Sequence, residues 1–509
     1  MTSVLSNNKR IAKNTMMLYV RMLLSMIVSL YTSRVVLDVL GVEDFGIYGV
    51  VGGVVAMFSF LNSSMGGATA RFLTFEIGGG SFQRLKETFS SALILHIGIA
   101  LLVFVLAETV GLWFVYNKLV IPEERMVATI WVYQFSVLTT IVNITQIPYN
   151  ASIIAHEKMG VYAYVEIVNV ILRLLTVYLL VVGHFDKLKL YAILTFSVSL
   201  IIAFTYRTYC LKRFEECRFG FAWNKGILKP MLSFSGWNLY GSLSVVVRTQ
   251  GIGILLNLFF GVVLNAAIGI ANQIQGVILS FVENFLIAVQ PQIVKSYASH
   301  NRKRMESIVY NSSLFSFLLL SLISLPLIIE MDYILKLWLK KTPPFCVPFC
   351  QLILINNLLS ILFRPIIYSI HATGKIKKTN FINGSIYLCV IPISYILFQY
   401  NFQPVTPYIV NIILLSIGCA LNLHILHLLI PEFSIKKFIF RVGGICLSII
   451  TLSLALSLYV HYSLEASCIR VFYVILSSTL SIVVLSYFIA LDKTMKKRIR
   501  LTIFNQLKK

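Results

Sequence analysis

Apolar runs long enough to cross a bilayer recur from Lys13 to Leu491 with only short breaks between them. A hydrocarbon core of roughly 30 Å takes about 20 apolar residues per helix, so the gaps leave no room for a globular domain. Runs such as Ile97 to Ala107 are apolar all round, where a barrel strand would alternate polar and apolar residues. In hydrocarbon the backbone must satisfy its own hydrogen bonds, and a helix does so within one segment. The chain reads as an all-α membrane protein of about fourteen transmembrane helices. The spans fall at 14–38, 46–73, 88–115, 126–150, 160–182, 188–210, 230–257, 263–293, 308–330, 345–372, 379–399, 407–430, 438–460 and 469–491.

A composition of 58% hydrophobic and 12% charged residues, with a mean hydropathy of +0.84, makes lipid the expected solvent. Lys9, Arg10 and Lys13 precede a first span of full length that lacks a small-residue cleavage site, which reads as a retained helix. The net charge of +23 would suggest nucleic acid in a soluble protein. Here the basic residues gather in alternate loops: Arg84 with Lys86, Lys212 with Arg213 and Arg218, Arg302 to Arg304, Lys375 with Lys377 and Lys378, and the tail from Lys493. That is the positive-inside bias, and it puts both termini in the cytoplasm. The expected partner of this charge is anionic membrane lipid, with no nucleic acid.

Pro148, Tyr149, Asn150, Ala151, Ser152, Ile153, Ile154 and Ala155 close the fourth span, and Pro365 to Ala372 close the tenth with proline, serine, isoleucine and alanine in register. A shift of 220 residues lays Gly41 on Gly261 and Gly49 on Gly269. Repeats of six helices both start in the cytoplasm and are related by a pseudo-twofold axis along the membrane normal. The layout is an N-terminal six-helix lobe (1–210), a basic cytoplasmic linker (211–229), a C-terminal six-helix lobe (230–430), and two additional helices with a basic tail (431–509). Two such bundles surround a central cavity and can rock against each other.

The basic residues left inside spans are all arginine: Arg21, Arg34, Arg173, Arg248 and Arg364. An arginine facing lipid at the bilayer centre costs between about 3 and more than 10 kcal/mol, so it turns to a bundle interior or a wet cavity. Arg173 sits near its helix midpoint; for the others, snorkelling to an interface stands beside the cavity reading. Glu166 and Glu283 are the embedded acids, and Glu283 is placed to pair with an arginine from another helix. Guanidinium forks suit phosphate oxygens, which points to a cationic cavity for an anionic, phosphorylated substrate. Asn62, Trp237, Asn238, Tyr240, Gln250, Asn272 and Gln273 offer stacking and hydrogen bonds to sugars, or equally ordinary interhelical contacts.

No G-x-x-x-x-G-K-[ST] loop or H-E-x-x-H motif is present, and no outer loop is long enough for a catalytic site. The chain reads as a non-enzyme without cofactor or metal, driven by an ion gradient or the membrane potential. The eight cysteines read as apolar fillers, with Cys346 and Cys350 the only close spacing, and His424 and His427 as packing or snorkelling groups.

An opening helix with Asn14 and Thr15, the stretch Gly41, Val42, Glu43, Asp44, Phe45, Gly46, Ile47, Tyr48, the repeated Pro148 and Pro365 helix ends and the 6+6+2 layout together resemble the Wzx-type polysaccharide flippases. These belong to the multidrug/oligosaccharidyl-lipid/polysaccharide exporter superfamily. The resemblance implies a bacterial inner-membrane protein that moves an undecaprenyl-diphosphate-linked oligosaccharide to the outer leaflet for O-antigen, lipopolysaccharide or capsule synthesis. Polymerase and glycosyltransferase partners would act beside it. On that view Arg21, Arg34, Arg173, Arg248, Arg364, Gln250, Asn272 and Gln273 bind substrate, and Glu166 or Glu283 couples transport to a cation. A lipid II flippase, a drug-extrusion transporter of the same superfamily and a membrane glycosyl polymerase are the alternatives.

Overall fold

The computed structural model describes residues 2–57, 66, 69–70, 72–77, 81–156, 158–183, 185–218, 220, 225–491 and 496. Side chains are described from Met26 onward, apart from 159–160, 162–163, 166, 225, 227–238, 284, 287–288, 291 and 298. The described residues are helical with no strand. In chain order the helices are α1 (Thr2–Ala56), α2 (Phe82–Leu106, prolonged to Asn117), α3 (Met126–Ala155), α4 (Met159–Val182) and α5 (Lys187–Arg213). Then come α6 (Lys225–Phe260), α7 (Val263–Ala298), α8 (Arg302–Trp338), α9 (Cys346–Ala372), α10 (Lys377–Gln399) and α11 (Thr406–Leu429). The last two are α12 (Ile435–Ser463) and α13 (Cys468–Ala490).

Among the described residues twelve helices are long and apolar enough to cross a membrane: all of these except α4, whose apolar part is the shorter Ile167–Val182. The difference from about fourteen lies in two places. The expected span at 160–182 is α4, several of whose side chains before Ile167 lie outside the described residues. The expected spans at 14–38 and 46–73 share α1, and part of the second lies outside the described residues.

α1 is two helical arms joined at Gly41, whose φ of 78° and ψ of 170° lie where a side chain is strained. Gly261, its counterpart at the 220-residue shift, turns the chain between α6 and α7 with φ 79°. The proline sites repeat as well: Ser152 Oγ donates to the Pro148 carbonyl at 3.1 Å, and Ser369 Oγ to the Pro365 carbonyl at 2.8 Å. A serine one turn past a proline is therefore the same local device in both copies.

The chain packs as two compact units, one of Met1–Gly269 with Tyr387–Pro404 and one of Ile270–Ile386 with Val405–Lys509. In the first, Val50, Val51, Tyr133, Val137, Leu180 and Leu188 form the core where α1, α3, α4 and α5 meet. In the second, the buried serines Ser312, Ser313, Ser316 and Ser324 run along α8, and Ser453, Ser457, Ser478 and Ser481 are buried on the packed pair α12 and α13. Lipid tails are as apolar as leucine, so helices associate through close packing, and small residues permit it. Large apolar side chains such as Leu101, Leu102, Phe204, Leu447 and Ile469 are exposed, as a lipid-facing surface requires.

Candidate functional site

The first unit holds a cavity of about 500 Å³. Helical periodicity builds its walls, since residues three, four and seven apart share a face. Tyr48, Gly52 and Val55 come from the second arm of α1; Ser136, Thr139, Thr140 and Asn143 from α3; Asn169, Arg173 and Thr176 from α4; Tyr191, Thr195 and Ser199 from α5. Three polar stripes and one mostly apolar wall thus face one space. The Tyr48 and Tyr191 rings stand 4.7 Å apart. Thr139, Thr140 and Thr195 donate back to carbonyls one turn earlier, at 2.7, 3.0 and 2.8 Å, which leaves hydroxyl oxygens as acceptors at the wall. Arg173 Nε donates to Asn169 Oδ1 at 3.4 Å. No aspartate or glutamate is among the described lining residues.

Further along α5, Arg207 Nη2 donates to Thr145 Oγ1 on α3 at 2.6 Å, and its guanidinium lies 5.8 Å from the Tyr149 ring centre. Sequence reasoning missed this residue, because three positions from a span end it counts as a loop charge.

Of the expected arginines whose side chains are described, Arg173 alone lines this cavity. Arg34 is exposed on α1. Arg248 on α6 lies over the Tyr387 ring at 4.4 Å, and Gln250 Oε1 stands 3.0 Å from where a Cβ on Gly53 would be. In the second unit Arg364 Nη2 donates to Glu283 Oε1 at 2.8 Å, the interhelical pair expected for Glu283. Asn272 is exposed and Gln273 half-buried on α7. Asn62 and the side chains of Arg21, Glu166, Trp237 and Asn238 lie outside the described residues. Interhelical amide pairs run through the same unit: Gln275 with Asn357, Asn411 with Asn356 and Asn422 with Asn383, each at 2.8 Å.

One end of the first unit is fastened by ionic contacts. Arg125, just before α3, donates through Nε to Asp44 Oδ1 at 2.8 Å and through Nη1 to Asp186 Oδ2 at 2.8 Å. Asp186 also caps α5, accepting from the Leu188 and Lys189 amides at 3.1 Å. Partial burial works against the Asp186 charge, but Arg125 and the Lys189 amide outweigh it and hold the carboxyl below the usual range. At this end the two glycine turns meet: a Cβ on Gly46 would stand 2.0 Å from the Val262 carbonyl oxygen, and the Phe45 ring abuts Gly269. Asn257 clamps the strap after α2, accepting from the Val120 amide at 2.9 Å and donating to its carbonyl at 3.2 Å.

In the second unit Glu330 on α8 is fully buried between His461 Nδ1, at 2.7 Å, and Arg470 Nη2, at 2.8 Å. This triad joins α8 to α12 and α13. His427 Nδ1 lies 2.9 Å from the Phe433 carbonyl oxygen, a packing contact.

No family model matches the sequence, and no curated protein matches it. Solved structures do. The lipid II flippase MurJ in an inward closed conformation superposes with a TM-score of 0.67 at 14% identity, over 92% of this chain and 98% of that one. An inward-facing multidrug resistance MATE transporter of the MOP superfamily gives 0.66 at 12% identity, over 81% and 96%. The fold is that of the MOP superfamily transporters. A further member of that fold, a MOP superfamily transporter from Pyrococcus furiosus Vc1 described as having a binding pocket of reverse polarity, gives 0.58 at 14% identity, over 82% and 95%. At these identities the MOP likeness is one of fold.

Proposed function

We propose that this chain is a transporter that flips undecaprenyl-diphosphate-linked oligosaccharide units from the inner to the outer leaflet of a bacterial cytoplasmic membrane, driven by an ion gradient. The observation that carries the reading is the cavity of the first unit, with Arg173 in its wall, hydroxyls, amides and two tyrosines around it, and no carboxylate among its described lining residues. Amides and hydroxyls suit sugar hydroxyls, tyrosine faces suit sugar rings, and a guanidinium suits a phosphate or an acidic sugar. Arg207 extends the cationic path along the α3–α5 seam. Arg34, Arg248 and Arg364 are proposed to meet the diphosphate during passage, with Gln250, Asn272 and Gln273 on the glycan. Glu283, released from Arg364, or Glu166 takes the coupling cation. The lobes that rock are 1–210 and 230–430, and the contact of the Gly46 turn with Val262 is the gate that parts.

The lipid II flippase reading is supported by the extent of the MurJ superposition, and it shares the diphosphate-linked substrate chemistry. Drug export is the weaker reading, because a cationic wall repels cationic drugs. The deciding experiment measures leaflet movement of fluorescent undecaprenyl-diphosphate oligosaccharide in proteoliposomes under an imposed proton or sodium gradient. Movement of the oligosaccharide substrate, at least about tenfold slower in Arg173→Ala, is expected. Movement of lipid II alone favours the second reading, and movement of neither, with folded protein, overturns both.

A further inference from the structure

The second unit carries a charged cleft where α8 begins, α11 ends and α12 begins. It encloses about 600 Å³ and is lined by Arg302, Lys303, Glu306, Glu432, Phe433 and Lys437. A side pocket of about 180 Å³ shares Lys303, Glu306 and Lys437 and adds Arg441. The walls are tied in place. Tyr310 Oη donates to Glu306 Oε1 at 2.6 Å, stands 3.0 Å from the Ser434 carbonyl oxygen, and its ring packs on Phe433 and Phe438. Arg302 Nη1 donates to the Tyr297 carbonyl at 3.2 Å, and its guanidinium stacks 4.0 Å over the Tyr297 ring.

Four cationic side chains from two distant segments therefore converge against two carboxylates, one of them engaged by Tyr310. Among the described residues neither the Lys303 nor the Lys437 ammonium is ion-paired. The cleft also borders lipid-facing surface: on the next turn of α12, Ile439 is 51% and Phe440 70% exposed. Anion-binding groups beside outward apolar side chains match a molecule with a phosphate next to hydrocarbon, and a soluble phosphate ester has no use for the apolar border.

We propose that this cleft binds the phosphate of an anionic glycerophospholipid from the adjoining leaflet, between Lys303 of α8 and Lys437 of α12, with its acyl chains along Ile439 and Phe440. The site is separate from the cavity of the first unit, and it stands whether or not the chain moves oligosaccharide.

Native mass spectrometry of the full-length protein, offered mixed micelles of phosphatidylglycerol and phosphatidylcholine, tests it. Wild type should retain phosphatidylglycerol in preference. Each of Lys303→Gln and Lys437→Gln should cut that preference by about fivefold, while Lys341→Gln at the other end of α8 leaves it unchanged. Phe440→Ser should weaken lipid retention without altering any response to glycerol phosphate. A Lys303→Gln/Lys437→Gln double variant that melts as wild type and keeps the full preference overturns the site. Equal occupancy by glycerol phosphate and phosphatidylglycerol, with Phe440→Ser silent, overturns the lipid as its occupant.

Discussion

In the first unit Arg173 stands in a cavity wall with Asn169 beside it and no described carboxylate around the space, whereas in the second Arg364 is closed by Glu283 at 2.8 Å. The two units share the proline–serine bond of the repeat, at Ser152 in the first and at Ser369 in the second. Their interiors have nonetheless diverged. One keeps its positive charge available to a ligand, and the other spends its polar groups on each other, through the Arg364 pair and the amide pairs of α9 with α7 and α11 and of α10 with α11. A repeat preserves the backbone turns that close the bundle. It does not preserve the chemistry between them.

The largest expected effect separates the two arginines directly. Arg173→Ala should slow oligosaccharide movement at least about tenfold, and Arg364→Ala by no more than about threefold. Equal losses in the same flipping assay would erase the distinction. Next comes the turn that closes the first unit. A side chain at position 46 meets a backbone oxygen, so Gly46→Val should cost about 1–3 kcal/mol at that contact. Thiol labelling of a nearby engineered cysteine should rise severalfold; unchanged labelling would mean that the side chain is accommodated without parting the turns.

In the second unit the Glu283 and Arg364 side chains are 45% and 36% exposed, so solvent screens their pair. Glu283→Gln should shift stability by less than about 1 kcal/mol and should give Arg364 the anion affinity proposed for Arg173, read as a chloride- or phosphate-dependent melting shift. The smallest effect is expected in acid. Asp186 titrates below the unfolded value of about 3.9. Its contribution is therefore present above that value and lost as pH falls through the folded one. Melting temperature should hold from neutrality to about pH 4 and then drop, less so in Asp186→Asn. Because no described acid lines the cavity, the loss should fall on the rim of the first unit while anion binding within it persists.

Much of the architecture was legible because its signals are local. Apolar length gives the helices, and Gly41 and Gly261 announce the turns that a left-handed backbone demands. The stretch Gly41 to Tyr48 reads as a motif, and the structure supplies separate reasons for its members: a kink at Gly41, the Arg125 fork on Asp44, close approach at Gly46 and a cavity wall at Tyr48. What was not legible depends on partners far apart in sequence. Arg125 reads as a loop charge until Asp44 and Asp186, 81 and 61 positions away, are brought to it. The cavity was equally hidden, since Arg34 and Arg173 look alike as intramembrane arginines, both are exposed, and only the packing of α1, α3, α4 and α5 gives Arg173 a cavity to face.

The buried Glu330 has a bearing on how the chain is built in the membrane. Its two partners are 131 and 140 positions downstream, on α12 and α13. Removing one partner of a buried pair costs about 3–5 kcal/mol, so without α12 and α13 the Glu330 carboxylate would be a liability on α8. Glu330 thus makes α8 depend on α12 and α13 for charge as well as for packing.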